Sequence, residues 1–171
     1  MLIAGDKPDI IFISEVIPKN QINPITQALL EIDDYKCLLN FDPELANLGS
    51  SGIRGVAIYS RITLKTEEIE FRIDGFHDHV WLEIQTDDKK TILCGCIYRS
   101  PSNDTNKNGS LESTKLITQL INKAYESNAN LLIAGDFNYK DIDWNNEFAT
   151  REQLHLTHFL KRYMSVSSFN M

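Results

Sequence analysis

The chain has little excess positive charge. Its 171 residues include 17 Lys and Arg against 24 Asp and Glu, for a formal net charge of −7. This balance argues against a protein that binds nucleic acid through a broad basic surface, because phosphate contacts need Lys and Arg. It does not exclude an enzyme that contacts phosphates locally and holds a cation among carboxylates.

The chain also lacks paired cysteines. Its three cysteines are Cys37, Cys94 and Cys96, and no two of them form a Cys-x-x-Cys pair. Cys94 and Cys96 alternate within an apolar run, which predicts two buried thiols on one face of a strand rather than a metal site. This cysteine usage is typical of a reducing, intracellular setting.

Long apolar runs are missing too. No segment approaches the ~18 apolar residues of a membrane span, so we expect a soluble protein without a membrane partner. The opening residues, "MLIAGDK", are too short in apolar content for a signal peptide. The length fits a single domain over residues 1–171, either alone or as part of a larger one.

Hydrophobic periodicity predicts strands interrupted by a few helices. Strands are predicted at "PDIIFISEV" (Asp9 to Ser14), "YKCLLNF", "GVAIYSR", "EEIEFRI" and "NLLIAG", with a hairpin of "HVWLEIQT" and "TILCGCIY". Helices are predicted in "NPITQALLEI" after an Asn23 cap, from Ser110 to Ser127 after a polar loop at 100–109, and over 148–163, with 164–171 unanchored. Hairpins in the middle and a helix feeding a strand indicate an α/β (α+β) sandwich of sheets covered by helices.

Polar side chains follow three of these strands. The first strand ends in Glu15, another ends in Tyr98 and Arg99, and the "NLLIAG" strand is followed by Asp136 and Asn138. If these strands run side by side, their ends meet around one cleft, where ligands of such sheets bind.

These residue types suit phosphate chemistry. Glu15 is a hard oxygen ligand for Mg²⁺, and Asp136 could deprotonate an attacking water. Asn138 and Tyr98 offer uncharged donors to phosphate oxygens, and Arg99 could stabilise charge developing on phosphorus. Taken singly, each residue is more often a solvated strand end, a half-buried aromatic or a turn former. The combination at strand ends favours a site.

The blocks "PDIIFISE", "RGVAIYSR", "CGCIYRSPS" and "LLIAGDFNYKDIDW" occur in an order that resembles a known family. They are similar to the endonuclease/exonuclease/phosphatase superfamily. The nearest likeness is to the endonuclease domain of non-LTR (LINE-type) retrotransposons, which lies upstream of a reverse transcriptase. The resemblance runs over residues 7–144, and the "YRSPS" and "GDFN…IDW" stretches are its most specific parts.

The resemblance implies a four-layer α/β sandwich, two mixed sheets flanked by helices, that hydrolyses phosphodiesters with Mg²⁺ or Mn²⁺. By matching positions, Glu15 is the metal ligand, Tyr98, Asp136 and Asn138 are catalytic, and Asn138 and Arg99 contact phosphate. It implies a nuclear enzyme that nicks target DNA, with a reverse transcriptase domain as partner in the parent protein.

The chain departs from the family pattern at both ends. Only fourteen residues precede Glu15, which leaves no room for the family's Asn-bearing first strand, and no terminal Asp-His pair follows. We therefore expect a partial domain, and we assign no role to the four histidines, His77, His79, His155 and His158.

Two other functions stay open for such a chain. One is a phosphatase of the same fold, acting on phosphoinositides, sphingolipids or another small ester. The other is a non-catalytic remnant. Arg54, Arg61 and Arg99 lie near strand ends and form a candidate basic patch for DNA.

Overall fold

Two sheets packed face to face form the centre of the protein. The structure is a computed structural model that describes residues 7–17, 27–40, 54–101 and 107–139. The first sheet has three strands: β1 (Ile10–Ser14), β2 (Tyr35–Asn40) and β3 (Val56–Arg61). Its order is β1-β3-β2 and all pairs are antiparallel, so the end of β1 lies beside the start of β3.

The second sheet combines antiparallel and parallel pairing. It contains β4 (Lys65–Glu68), β5 (His79–Gln85), β6 (Thr91–Tyr98) and β7 (Asn130–Asp136), in the order β4-β5-β6-β7. The β5–β6 pair is the predicted hairpin, whereas β6 and β7 run parallel. Parallel neighbours need a crossover connection, and here it contains the helix α1 (Lys107–Tyr125).

Alternation along the strands separates two apolar layers. Val56 and Ile58 of the first sheet meet a second-sheet face made of Val80, Leu82, Ile84, Cys94, Cys96 and Tyr98. Burial raises the pKa of the Cys94 thiol to about 11 and that of Cys96 to about 12. The prediction of two buried thiols on one strand face is confirmed.

Helix α1 covers the opposite face of the second sheet. Its apolar stripe of Ile117, Leu120, Ile121 and Ala124 packs with Trp81, Leu93 and Ile133. Trp81 lies directly over its register partner Gly95, where an added Cβ would come within 2.5 Å of the indole ring. None of the helices described here is long and apolar enough to cross a bilayer.

The predicted fold class, an α/β sandwich built on two packed sheets, is confirmed. Most predicted strands occur, but "EEIEFRI" is only partly strand, because β4 spans Lys65–Glu68 and includes only its first two residues. Ile69, Phe71 and Ile73 nevertheless share one side, since all three pack against the α1 layer. This shared packing explains why apolar residues alternate along the segment although strand β4 ends at Glu68.

Both predicted helices in the described regions have different bounds from those expected. Helix α1 starts at Lys107, inside the expected polar loop. Of the "NPITQALLEI" helix, Gln27–Leu30 is a short 3-10 helix, and the Asn23 cap lies outside the described residues. The predicted helix at 148–163 and the tail at 164–171 also lie outside them.

His79 makes stability depend on pH. Its ring is 6% exposed and stacks on Phe76, and burial lowers its pKa to about 4. An unfolded histidine titrates near 6.5, so the unfolded chain binds more protons between these values. We expect the free energy of unfolding to fall by about 3 kcal/mol on acidification from pH 6.5 to 4. Urea titrations across this range should show the loss, and His79→Phe should abolish it.

The exposed His77 provides the matched control, because His77→Gln removes an imidazole outside the core. We expect this variant to keep the acid-induced loss of stability. An unchanged pH dependence in His79→Phe would assign the loss to other groups.

Gly135 is required where β7 meets β6. It has a φ of +140°, and a Cβ there would lie 1.9 Å from the carbonyl oxygen of Ile97. Because the clash is with backbone, we expect Gly135→Ala to lower the free energy of unfolding by about 3 kcal/mol or more in urea denaturation. Gly75→Ala is the control, since φ is +83° there and the nearest atom is 3.8 Å away. Equal losses in both variants would contradict this reason.

Candidate active site

The carboxyl ends of β6 and β7 place two predicted residues side by side. Tyr98 and Asp136 are register partners in the parallel pair. Tyr98 is buried, with 1% of its surface exposed, whereas Asp136 is exposed. Parallel pairing therefore brings the phenol and the carboxylate to the same sheet edge, as the sequence predicted.

Glu15 reaches this edge from the other sheet. The prediction had all three strands side by side, but β1 belongs to the first sheet and packs across from β6. The Tyr98 hydroxyl donates a hydrogen bond of 2.5 Å to Oε1 of Glu15. This bond joins the two sheets at the edge that carries Asp136, so the predicted convergence occurs through sheet packing.

The backbone at Glu15 has an uncommon conformation. Its φ is +56°, in the left-handed region that costs a non-glycine residue about 1–2 kcal/mol. The next two amides anchor it, because the N–H of Val16 donates to the carbonyl of Gly55 at 3.3 Å and that of Ile17 to Arg54 at 2.8 Å. Such strain concentrates at functional sites when the surrounding structure holds it.

Arg54 supplies the positive charge beside Glu15. Its Nε lies 3.7 Å from Oε1 of Glu15, and its Nη1 donates to the carbonyl of Ile17 at 3.1 Å. Glu15 thus receives both a neutral donor and a cation on one oxygen. Its side chain remains about half exposed, so the carboxylate is still accessible to solvent.

Tyr98 stays protonated in this setting. Burial is the main cause that raises its pKa to about 12, and the hydrogen bond to Glu15 and that residue's charge add to it. The charge of Asp136 also raises this pKa, and Arg54 opposes it. The phenol is therefore a neutral donor over the physiological pH range.

Asn138 is held close to Asp136 by a tight turn. Its φ is +49°, which asparagine tolerates well, and its N–H donates to Oδ1 of Asp136 at 3.0 Å. Its Nδ2 donates to the carbonyl of Arg99 at 2.8 Å. One amide hydrogen of Asn138 is used there, and the amide group carries a second.

Arg99 lies inside the protein beneath this turn, although it was predicted as a phosphate contact. It has no exposed surface, its Nε donates to Oγ of Ser113 at 3.0 Å, and its Nη1 donates to the carbonyl of Asn138 at 3.1 Å. The guanidinium also stacks on Tyr139, with Cζ 4.3 Å from the ring centroid. The positive charge of Arg99 therefore lies inside the protein, next to the backbone of Asn138.

The candidate basic patch does not form. Arg61 is the last residue of β3, and it pairs with Asp9 at 3.5 Å. Arg54 precedes the first residue of β3, so the two arginines lie at opposite ends of the first sheet. Strand direction separates these two arginines, and Arg99 is buried. The structure therefore contradicts a patch made of all three.

Two contributors to the site were not singled out as site residues from sequence. One is Arg54. The other is Asp78, whose carbonyl accepts the N–H of Tyr98 at 2.9 Å. Burial raises the pKa of the Asp78 carboxyl, and the N–H groups of Gly55 and Arg54 oppose this. The polar run "HDH" just before the apolar β5 was the available signal.

Neither of the two histidines in the described part of the chain contributes a side chain to the site. His77 is exposed and His79 is part of the core beside Phe76, while His155 and His158 lie outside the described residues. No histidine was predicted as a site residue.

The carboxylates at this edge are ligands of the type that bind a hydrated divalent cation. Glu15 and Asp136 offer carboxylate oxygens at one edge, and Mg²⁺ in enzymes is bound by one or two carboxylates while it keeps several waters. Within the described ranges, no group of three or more His, Cys, Asp or Glu side chains could hold a metal alone. A site of this composition would need water and substrate to complete the coordination.

One solved structure with a related fold is the human Nocturnin catalytic domain with bound sulfate anion. It has a TM-score of 0.50 and 16% sequence identity, over 90% of this chain and 56% of that one. TDP2 from C. elegans has a TM-score of 0.43 and 15% identity, over 83% and 40%. The chain thus spans about half the length of these structures.

No curated protein matches the chain by sequence. The family model described as "Endonuclease/Exonuclease/phosphatase family" matches residues 1–169, nearly the whole chain. The two packed sheets agree with this match. The chain belongs to the endonuclease/exonuclease/phosphatase family.

Proposed function

We propose that this chain is the core of a divalent-metal-dependent phosphodiester hydrolase that nicks DNA. The observation that supports this most directly is the 2.5 Å hydrogen bond from Tyr98 to Glu15. It joins two sheets at the edge where Asp136 and Asn138 also lie. Two carboxylates and neutral hydrogen-bond donors provide the general base and the charge stabilisation that phosphodiester hydrolysis requires.

Each residue has a distinct task in this proposal. Asp136, exposed at the end of β7, accepts the proton of the attacking water. The second amide hydrogen of Asn138 faces a phosphate oxygen, and Tyr98 fixes Glu15 through its hydroxyl.

Mg²⁺ or Mn²⁺ would be held by Glu15, with water and substrate oxygens completing its coordination. When bound, the cation would neutralise the negative charge that develops on the phosphate. Arg54 lies on the same carboxylate at 3.7 Å and limits how negative the empty site becomes. We expect the cation rather than a basic surface to attract the substrate, in agreement with the net charge of −7.

DNA is the proposed substrate, and the sequence resemblance supports it. The blocks "YRSPS" and "GDFN…IDW" look like LINE-type retrotransposon endonucleases, and they include Tyr98, Asp136 and Asn138. A reverse transcriptase domain is the partner that this reading proposes for the parent protein. Target DNA would place the activity inside the cell, in the nucleus.

Asp136→Asn tests the proposed function. The variant keeps the size of the side chain but removes the base, so nicking of supercoiled plasmid in Mg²⁺ should fall by about 10²–10⁴-fold. Removal of the cation with EDTA should stop nicking by the unchanged chain. The exposed Asp74 provides a matched control, because Asp74→Asn should nick normally.

Undiminished nicking by Asp136→Asn would reject this assignment. Release of phosphate from a phosphoinositide without plasmid nicking would indicate a phosphatase of the same fold. Neither activity in the folded, Mg²⁺-loaded chain would indicate a non-catalytic domain.

A further inference from the structure

Arg99 connects three elements from a fully buried position. Its Nε donates to Ser113 of α1 at 3.0 Å, and its Nη1 donates to the carbonyl of Asn138 at 3.1 Å. The Cζ atom of the guanidinium lies over the ring of Tyr139, 4.3 Å from its centroid. No part of the residue is exposed, so its contacts point into the protein.

The backbone of Arg99 also hydrogen-bonds to the segment that carries Asp136 and Asn138. Its N–H donates to the carbonyl of Asp136 at 2.8 Å, and its own carbonyl accepts Nδ2 of Asn138 at 2.8 Å. One residue therefore makes hydrogen bonds to both Asp136 and Asn138, and its side chain returns to Asn138. A shift of Arg99 would move both proposed catalytic groups.

Helix α1 supports the other side of this arrangement. Ser113 and Thr114 are buried at 5% and 6% exposure, and Oγ1 of Thr114 lies 3.1 Å from the hydroxyl of Tyr139. Two consecutive residues of α1 thus contact the Arg99 guanidinium and the Tyr139 hydroxyl. This links the turn to the helix that packs on the core.

The guanidinium suits this task better than an ammonium would. Its planar fork donates in two directions while its face stacks on an aromatic ring, and it is more weakly hydrated than lysine. Burying a cation is costly, so its retention requires compensating contacts of this kind. A residue meant for phosphate would keep donors directed to the cleft.

We propose that Arg99 is a positioning residue, which orients Asp136 and Asn138 from inside the protein through Ser113 and Tyr139, instead of a contact to the scissile phosphate. This inference rests on the proposed function for the reaction that these two residues perform. The positioning itself is a property of the folded chain and can be measured without turnover.

The conservative variant Arg99→Lys separates positioning from phosphate binding. Positioning predicts that kcat for plasmid nicking falls by about 10–100-fold while KM changes less than about twofold, as for residues that orient catalytic ligands. It also predicts an unchanged salt dependence for binding of a short DNA duplex in EDTA. A phosphate contact predicts a higher KM and a slope of log K against log salt reduced by about one.

The exposed Arg72 gives the matched control. It is paired with Glu70 and 82% of its side chain is exposed, so Arg72→Lys should alter neither kcat nor the salt slope. Ser113→Ala removes the acceptor of Nε and keeps the charge. We expect Ser113→Ala to lower kcat for nicking by less than Arg99→Lys does. Neither KM nor the salt dependence of DNA binding should change.

Proton NMR of the unchanged chain provides a readout that needs no activity. The Nε–H of Arg99 should exchange with water at least about tenfold more slowly than that of Arg72, because it is buried and hydrogen-bonded. In Ser113→Ala this difference should shrink, and the side-chain amide signals of Asn138 should shift. These signals decide the inference even where Arg99→Lys does not fold or the chain does not cleave DNA.

The outcomes separate the two proposals. If the unchanged chain neither nicks nor binds DNA but shows the NMR signature, the proposed function is rejected. The inference that Arg99 positions the turn is then retained. Fast exchange at Arg99 Nε–H, or a salt slope that falls by about one in Arg99→Lys, overturns the inference about Arg99.

Discussion

The parallel pairing of β6 with β7 is the constraint on which the candidate site depends. Its register makes Tyr98 and Asp136 neighbours, and it requires a glycine at 135 because the carbonyl of Ile97 occupies the space of a side chain. The crossover through α1 is what makes parallel pairing feasible. The same crossover brings Ser113 and Thr114 beneath the turn, so scaffold and site share one connection.

Sheet packing adds the second half of the site. Glu15 comes from the first sheet and meets Tyr98 only because the apolar faces of the two sheets enclose Cys94, Cys96 and the Tyr98 ring. The hydrophobic layer therefore determines the distance between groups that the chemistry needs close together. A polar bond at the end of an apolar interface is shielded from water on one side, which strengthens it.

Charge in this acidic chain is arranged by depth. The exposed carboxylates of Glu15 and Asp136 line the edge, Arg54 lies beside them, and Arg99 is buried below. In the proposed function, this order leaves the two carboxylates accessible to a cation, and Arg99 supports the turn from inside the protein. It also shows how the proposed anionic substrate is compatible with a net charge of −7.

The sequence by itself determined most strands and the residues at their ends. Periodicity located the hairpin, β7 and the core face of α1, and the glycine-acid order after "NLLIA" pointed to Asp136 and Asn138. These features are local, since they depend on alternation along one strand or on one turn. The family resemblance drew on the same local blocks.

Only the tertiary structure decided which groups meet and which are buried. Sequence placed Arg99 beside Tyr98 but not under Asn138, and it grouped Arg54 with Arg61 although strand direction separates them. It extended a strand through Ile69 and Ile73, where packing on α1 explains the alternation. Contacts between residues far apart in the chain arise from how sheets and helix pack, and no local pattern encodes that arrangement.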